Sequence, residues 1–305
     1  MNAALVLALA VFGISWAAPL TRLSSASPLA VAAWRLAIAE SVLVVLLIAR
    51  GEWRVWRTLS RREHLIAAGA GGMLAMHFWS WNASLAYTTI AASVVLVNLQ
   101  PAIVAAGSVL LLRERATRRQ IAGLVIGMFG AVLVTMPALT GNAAQTGLAT
   151  VAPFGVPPRL FGDALAMLGA VTAALYYLAG RKLRATLDLV PYVTLVYGWC
   201  TISLFALAIA RSETLGPYGG TDWSIFVGLA VGPMLLGHTG MNWALRHLPA
   251  HVVNLTVLGE PVCASLLAMG IPSIGEQPDI WTIAGGALIL AGAFWALTSQ
   301  KAGAE

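Results

Sequence analysis

The sequence predicts an all-α, polytopic membrane protein of ten transmembrane helices, arranged as two inverted five-helix repeats around a central cavity. Three observations predict it. Of 305 residues, 59% are apolar and 10% are charged, too few charges to keep a soluble domain of this length dispersed. Apolar stretches long enough to cross the hydrocarbon of a bilayer recur from one end of the chain to the other. Short motifs of the first half also return in the second at a nearly constant spacing of 160 to 162 residues.

Arg clusters, Gly and Pro bound the apolar stretches, which places spans at 3–21, 28–49, 64–85, 88–112, 119–136, 160–180, 189–210, 222–245, 250–271 and 279–299. Residues 4–18 could be read as a secretory signal ending at "SWAA", but the basic n-region is missing and further spans follow, so they are read as a retained first helix. With the N-terminus in the cytoplasm, the inner loops carry fourteen basic residues, among them Arg50, Arg54, Arg57, Arg61, Arg62, Arg113, Arg115, Arg181, Lys182 and Arg184. The outer loops carry three: Arg22, Arg159 and Arg211. That asymmetry predicts both termini in the cytoplasm of a plasma membrane, the inner membrane of a bacterium. It also accounts for the net charge of +6 as a topology signal, with no nucleic-acid partner. In "GEWRVWRTLSRRE", Trp53 and Trp56 among arginines read as an interfacial belt against the lipid bilayer.

The duplication is explicit. "LQPAIVAAGSVLLLRER" matches "LGEPVCASLLAMGIPSIGE", with Pro101 against Pro261 and Glu114 against Glu276. Gly123 and Gly130 match Gly285 and Gly292, and "MLAMH" at 73–77 answers "MLLGH" at 234–238. Five helices per copy is odd, so the second copy enters the membrane from the opposite side. The predicted division is a first repeat at 1–136, an external linker at 137–159 rich in small residues and proline, a second repeat at 160–299 and a cytoplasmic tail at 300–305.

Together with "ISWAAP" in the first helix, "AWRLAIA" in the second and "GLVIGMFGAVLV" in the fifth, these motifs resemble the EamA-type, ten-helix exporters of the drug/metabolite transporter superfamily. The resemblance covers nearly the whole chain, and the YddG-type amino-acid exporters are among the members it points to. It implies a secondary transporter that exports small metabolites, amino acids above all, aromatic or otherwise neutral, across the plasma membrane.

Polar residues at bilayer depth are costly and so are candidates for the solute path. Pro101 and Pro261 remove a backbone donor and free the carbonyls of Val97 and Val257, which predicts equivalent gating kinks. Asn98 and Asn254 lie on equivalent faces and could equally line a cavity or be interhelical glue, while Gln100 and Glu260, at equivalent positions, are further candidate cavity residues, Glu260 alternatively a structural carboxyl satisfied by a neighbouring helix. Glu260 is a candidate proton carrier, which makes protons a candidate coupling ion. Arg35 is the one basic residue within a span; it could receive a substrate carboxylate, snorkel outward or pair across helices. Five positions separate it from Glu40, which turns the two side chains apart on a helix. His77 and His238 are equivalent, with Trp81 and Asn242 one turn on. Trp16, Tyr176, Tyr177 and Trp243 are candidate aromatic walls.

Other classes lack their motifs. No GxxxxGK[ST] loop supports an ATP-driven pump, and no HExxH or nucleophile–base set supports an intramembrane enzyme. "HLPAH" at 247–251 is interrupted by Pro249, and Cys200 and Cys263 have no metal spacing, so neither a metal nor another cofactor is predicted. A single intramembrane base disfavours polyanionic solutes. A passive channel or facilitator, or an exchanger of another small solute, remains the alternative to a carrier.

Overall fold

In the computed structural model, the described residues are 3–104, 107, 118–139, 149–184, 186–244 and 257–298; Glu114, Asn254, the histidines of "HLPAH" and the tail at 300–305 lie outside them. Among the described residues the chain is mostly helical, with connecting loops and turns and no strand. The helices are α1 Ala3–Ser15, α2 Ala17–Leu23, α3 Pro28–Ala49, α4 Arg61–Ser84, α5 Ile90–Val97, α6 Arg118–Leu139, α7 Pro158–Leu183, α8 Leu189–Ala210 and α9 Gly220–Leu229. A π-helical segment, Ala230–His238, joins α9 to α10 (Thr239–Ala244), and α11 (Glu260–Gly270) and α12 (Ile280–Thr298) follow. Five helical stretches are long and apolar enough to cross a membrane: Leu5–Leu23, Pro28–Ala49, Pro158–Gly180, Leu189–Ala210 and Gly220–Ala244. Four more, at Ile90–Val104, Ile121–Val134, Glu260–Gly270 and Ile280–Gly292, are apolar but shorter.

Local chemistry sets the helix starts. Ser27 caps α3 by accepting the Ala30 amide at 3.2 Å ahead of Pro28 in the first turn, where a missing N–H costs nothing. Ser60 and Glu63 form a reciprocal capping box on α4. Thr89 caps α5, and Asp279 accepts the Thr282 amide at 2.7 Å at the start of α12. Between α3 and α4, Glu52–Thr58 forms a 3₁₀ turn in which the Arg57 guanidinium sits 4.7 Å from the Trp53 ring centre, the pairing of cation and aromatic that an interfacial belt uses. Large apolar side chains such as Val45, Ile48, Ile202 and Ile209 face outward, as a lipid-facing surface requires.

Four spans depart from plain helices. The first breaks at Trp16, because Pro19 cannot donate to the Ser15 carbonyl. The eighth is widened into π geometry around Pro233, and Thr239 donates through both its amide and its hydroxyl to the Met234 carbonyl five residues back. The fourth turns at residues 98–99 and restarts at Gln100, and a turn at 258–259 precedes α11 in the same way. The two prolines therefore stand in the first turn of a new helix, not in the middle of a kinked one.

Packing joins the two halves of the chain. α4 lies on α7 and α8, α3 on α8, α1 on the π segment and α10, and α5 on α11. The largest contact is α6 against α12, and glycines make it possible. A Cβ on Gly130 would stand 2.6 Å from the Gly285 carbonyl oxygen, and one on Gly285 2.5 Å from that of Gly130. Gly292 meets Gly123 and Gly127 in the same manner. Because 123 faces 292 while 130 faces 285, the two helices run antiparallel, with backbones as close as small-residue seams allow.

Gly285→Leu drives its side chain against the Gly130 carbonyl and the Val134 amide at that crossing, backbone atoms that cannot turn aside as the end of a flexible side chain can. It is expected to destabilise the protein by more than about 3 kcal/mol, beyond the usual range for overpacking, and to abolish the monodisperse peak in detergent gel filtration. Gly286→Ala, which meets only the side chain of Val95, should retain that peak.

Candidate functional site

The two restarted helices face one cavity. It comprises about 520 Å³ of space, its mouth included. Asn98 and Gln100 enter it from the first break, Glu260 from the second, and so do Val97 and Val257, whose carbonyls lose their usual donors to the following prolines. Arg35 enters from α3, His77, Phe78 and Trp81 from α4, Tyr177 from α7 and His238 from the π segment.

The polar groups are individually held. Asn98 donates through Nδ2 to the Val94 carbonyl at 2.8 Å, which also accepts the Asn98 backbone amide at 3.2 Å, and its side chain also meets the Glu260 carboxyl. Nδ1 of His77 lies 2.9 Å from the Gly169 carbonyl on α7. A carbonyl only accepts, so in the neutral ring Nδ1 carries the proton and Nε2 is left as an acceptor. Gly169 is what allows this approach: a Cβ there would be 3.3 Å from that of Trp81. Arg35 lies with its guanidinium 4.0 Å from the centre of the Phe78 ring and 5.9 Å from that of Trp81. His77 and His238 flank Phe78, with ring centres 5.0 and 5.7 Å away.

Several expected site residues lie elsewhere. Tyr176 is buried among the packed side chains of α4 and α8 and bonds to Tyr192, while its neighbour Tyr177 takes the cavity wall. Asn242 donates to the His238 carbonyl at 2.8 Å, spending its amide on its own helix. Trp243 packs beside Leu7, Ala10 and Ile14, and Trp16 sits at the α1–α2 break with its ring edge to Phe12. Asn254 is outside the described residues. Phe78 was not foreseen; its only signal was that α4 places it one residue from His77. Glu40 does not meet Arg35, as the helical spacing required, and lies instead against Gly198 of α8.

At the end away from the Arg-rich loops, ion pairs tie the elements together. Arg22 pairs with Glu276 and also donates to the Thr88 carbonyl at 2.7 Å, while Glu276 accepts the Ile90 amide at 2.7 Å. The Thr88 hydroxyl donates to Asp163 at 2.6 Å. Arg159 pairs with Asp279 at 2.7 Å, and Asp222 accepts from both hydroxyls of Ser24 and Ser25 at 2.6 Å. Burial alone would raise the Asp279 carboxyl, but the Thr282 amide and Arg159 hold it below the usual carboxylate range. Among the described residues, the ion pairs between residues far apart in the sequence both lie at this end.

Breaking a buried pair from one side leaves the other charge uncompensated. Arg22→Gln or Glu276→Gln alone is expected to cost about 3 kcal/mol or more and to lower the melting temperature in detergent. The reversed pair, Arg22→Glu with Glu276→Arg, should recover only part of it, since the Thr88 carbonyl and Ile90 amide then face the wrong charges.

Comparison with known proteins gives the same outline. The sequence profile of the EamA-like transporter family matches residues 1–136 and 160–298. An uncharacterized transporter of Archaeoglobus fulgidus is 27% identical over 292 residues, covering 95% of this chain and 96% of that protein. The pseudopaline exporter CntI of Pseudomonas aeruginosa is 26% identical over 246 residues, 80% of this chain and 78% of its own length. A solved crystal structure shares the fold with a TM-score of 0.63 at 22% identity, covering 99% of each chain.

Proposed function

Because the chain belongs to the EamA-like transporter family, we propose that it exports small metabolites, foremost neutral amino acids including aromatic ones, across the plasma membrane by alternating access. It is a multi-pass membrane transporter, as its relatives are, and not an enzyme. The observation that carries the finer reading is the cavity itself: one buried base, one carboxyl, amides and aromatic faces meet where two helices restart. Discontinuous helices at the centre of a bundle are the usual means by which secondary transporters seat a polar solute. A single base and a single acid in one cavity suit a zwitterion better than a polyanion.

Inverted repeats supply the motion. The antiparallel α6–α12 crossing supports this reading, because equivalent helices of oppositely inserted copies must run in opposite directions where they meet. The division at 137–159 supports it too, since the family profile matches the chain on either side of that stretch. With the Arg-rich loops in the cytoplasm, the ion-paired end is external and closed, so solute enters from within. One relative is named as an exporter, in keeping with outward flux. Glu260 serves as the proton site that couples flux to a gradient.

Proteoliposomes preloaded with a single amino acid should accumulate the labelled form of it by counterflow, with saturation across a panel of neutral amino acids. A carrier shows that trans-stimulation; a passive facilitator or pore does not, and no saturable flux for any amino acid removes the substrate assignment. Under an imposed pH gradient Glu260→Gln is expected to lose the gradient-driven component by about tenfold or more while keeping counterflow. Undiminished gradient-driven flux in that variant excludes Glu260 as the proton site.

A further inference from the structure

Arg35 is 1% exposed at bilayer depth, and its Nε and Nη2 are buried with no hydrogen-bond partner. The described structure gives it no carboxylate within ion-pairing distance. Glu40, on the same helix, lies against Gly198, and Glu260 across the cavity is engaged by Asn98. The face of the guanidinium is covered by Phe78 at 4.0 Å, which compensates part of the lost hydration through the ring but leaves the in-plane N–H donors unmatched. Trp81 lies alongside, and its Nε1, a donor that can never accept, is likewise buried and without a partner. Both residues line the same cavity.

We infer that Arg35 and Trp81 form the seat of a substrate carboxylate, so that a free carboxylate is a requirement of the transported solute. Unmatched buried donors are too costly to persist without a function or a ligand, and these are donors only. A carboxylate is their complement: planar, acceptor-only and able to take two N–H groups of a guanidinium fork at once. A phosphate dianion would need more than one base. The inference rests on the transport reading above and adds to it which end of the solute is held, and where.

Ligand-induced thermal stabilisation of the purified full-length protein tests it, with matched pairs: L-phenylalanine and L-leucine against their amides, and phenylacetate against phenylacetamide. In the wild type, binding of the acids should exceed that of the amides by about 10- to 100-fold, the value of a charge-assisted bond. Arg35→Gln should bring acid and amide to within about twofold, Arg35→Lys should keep part of the preference, and Trp81→Phe should weaken acids alone. Without ligand, Arg35→Gln should melt no lower than the wild type, because it removes an uncompensated buried charge; an arginine with a merely structural role would melt lower. Equal binding of acid and amide, an acid preference surviving Arg35→Gln, or no binding of any acid overturns the seat. Should phenylacetate bind with the expected preference while no amino acid does, the seat stands and the amino-acid reading falls. Should amino acids and their amides bind alike, the reverse holds.

Discussion

A bilayer offers no water to a stray peptide group or charge, so every polar atom at depth must find a partner or face a wet space. Helices satisfy this along their own length, and among the described residues many large apolar side chains face outward. Many of the exceptions converge. Both restarted helices, both flanking prolines' orphaned carbonyls, two histidines, Arg35 and Glu260 meet at one cavity. The constraint that forbids irregular backbone against lipid is met here by turning the two proline breaks toward that cavity.

Movement needs close-packed surfaces that can shift and a closure that can be released. The α6–α12 seam, where glycine backbones touch with the side chains of Val134 and Ile289 packed beside them, is a close-packed spine. At the other extreme, Arg22, Arg159, Asp163, Asp222, Glu276 and Asp279 draw loops from several helices together at one end. Charges are suited to such a closure, since water regains them when it opens and their attraction is strong only while it is shut.

Much of this was legible in the residues. Composition gave the membrane; the basic residues gave a predicted orientation; the recurrence of "LQP" and "GEP" pointed to the two breaks, because a proline in a span removes a donor whatever its surroundings. Where prediction departed from the structure, tertiary partners decided. Pro101 was expected at a kink and instead opens a helix, since the turn at 98–99 takes up the change of direction. Tyr176 and Tyr177 are adjacent, and only the packing of α7 on α4 and α8 determines which one reaches the cavity. Asn242 turned to its own helix because the π segment before it alters the register. The pairing of Arg22 with Glu276, 254 positions apart, leaves no mark that sequence spacing could show.

The most direct test of alternating access is the side from which the cavity can be reached. Ala17, small and on the cavity wall, can be replaced by cysteine with Cys200 and Cys263 changed to alanine, and labelled with a membrane-impermeant maleimide in right-side-out and inside-out vesicles. The account predicts labelling from both faces, and loss of labelling from the Arg22 face alone when Arg22→Cys is disulfide-bonded to Glu276→Cys. Labelling from one face only, or from both faces despite that bond, would contradict it.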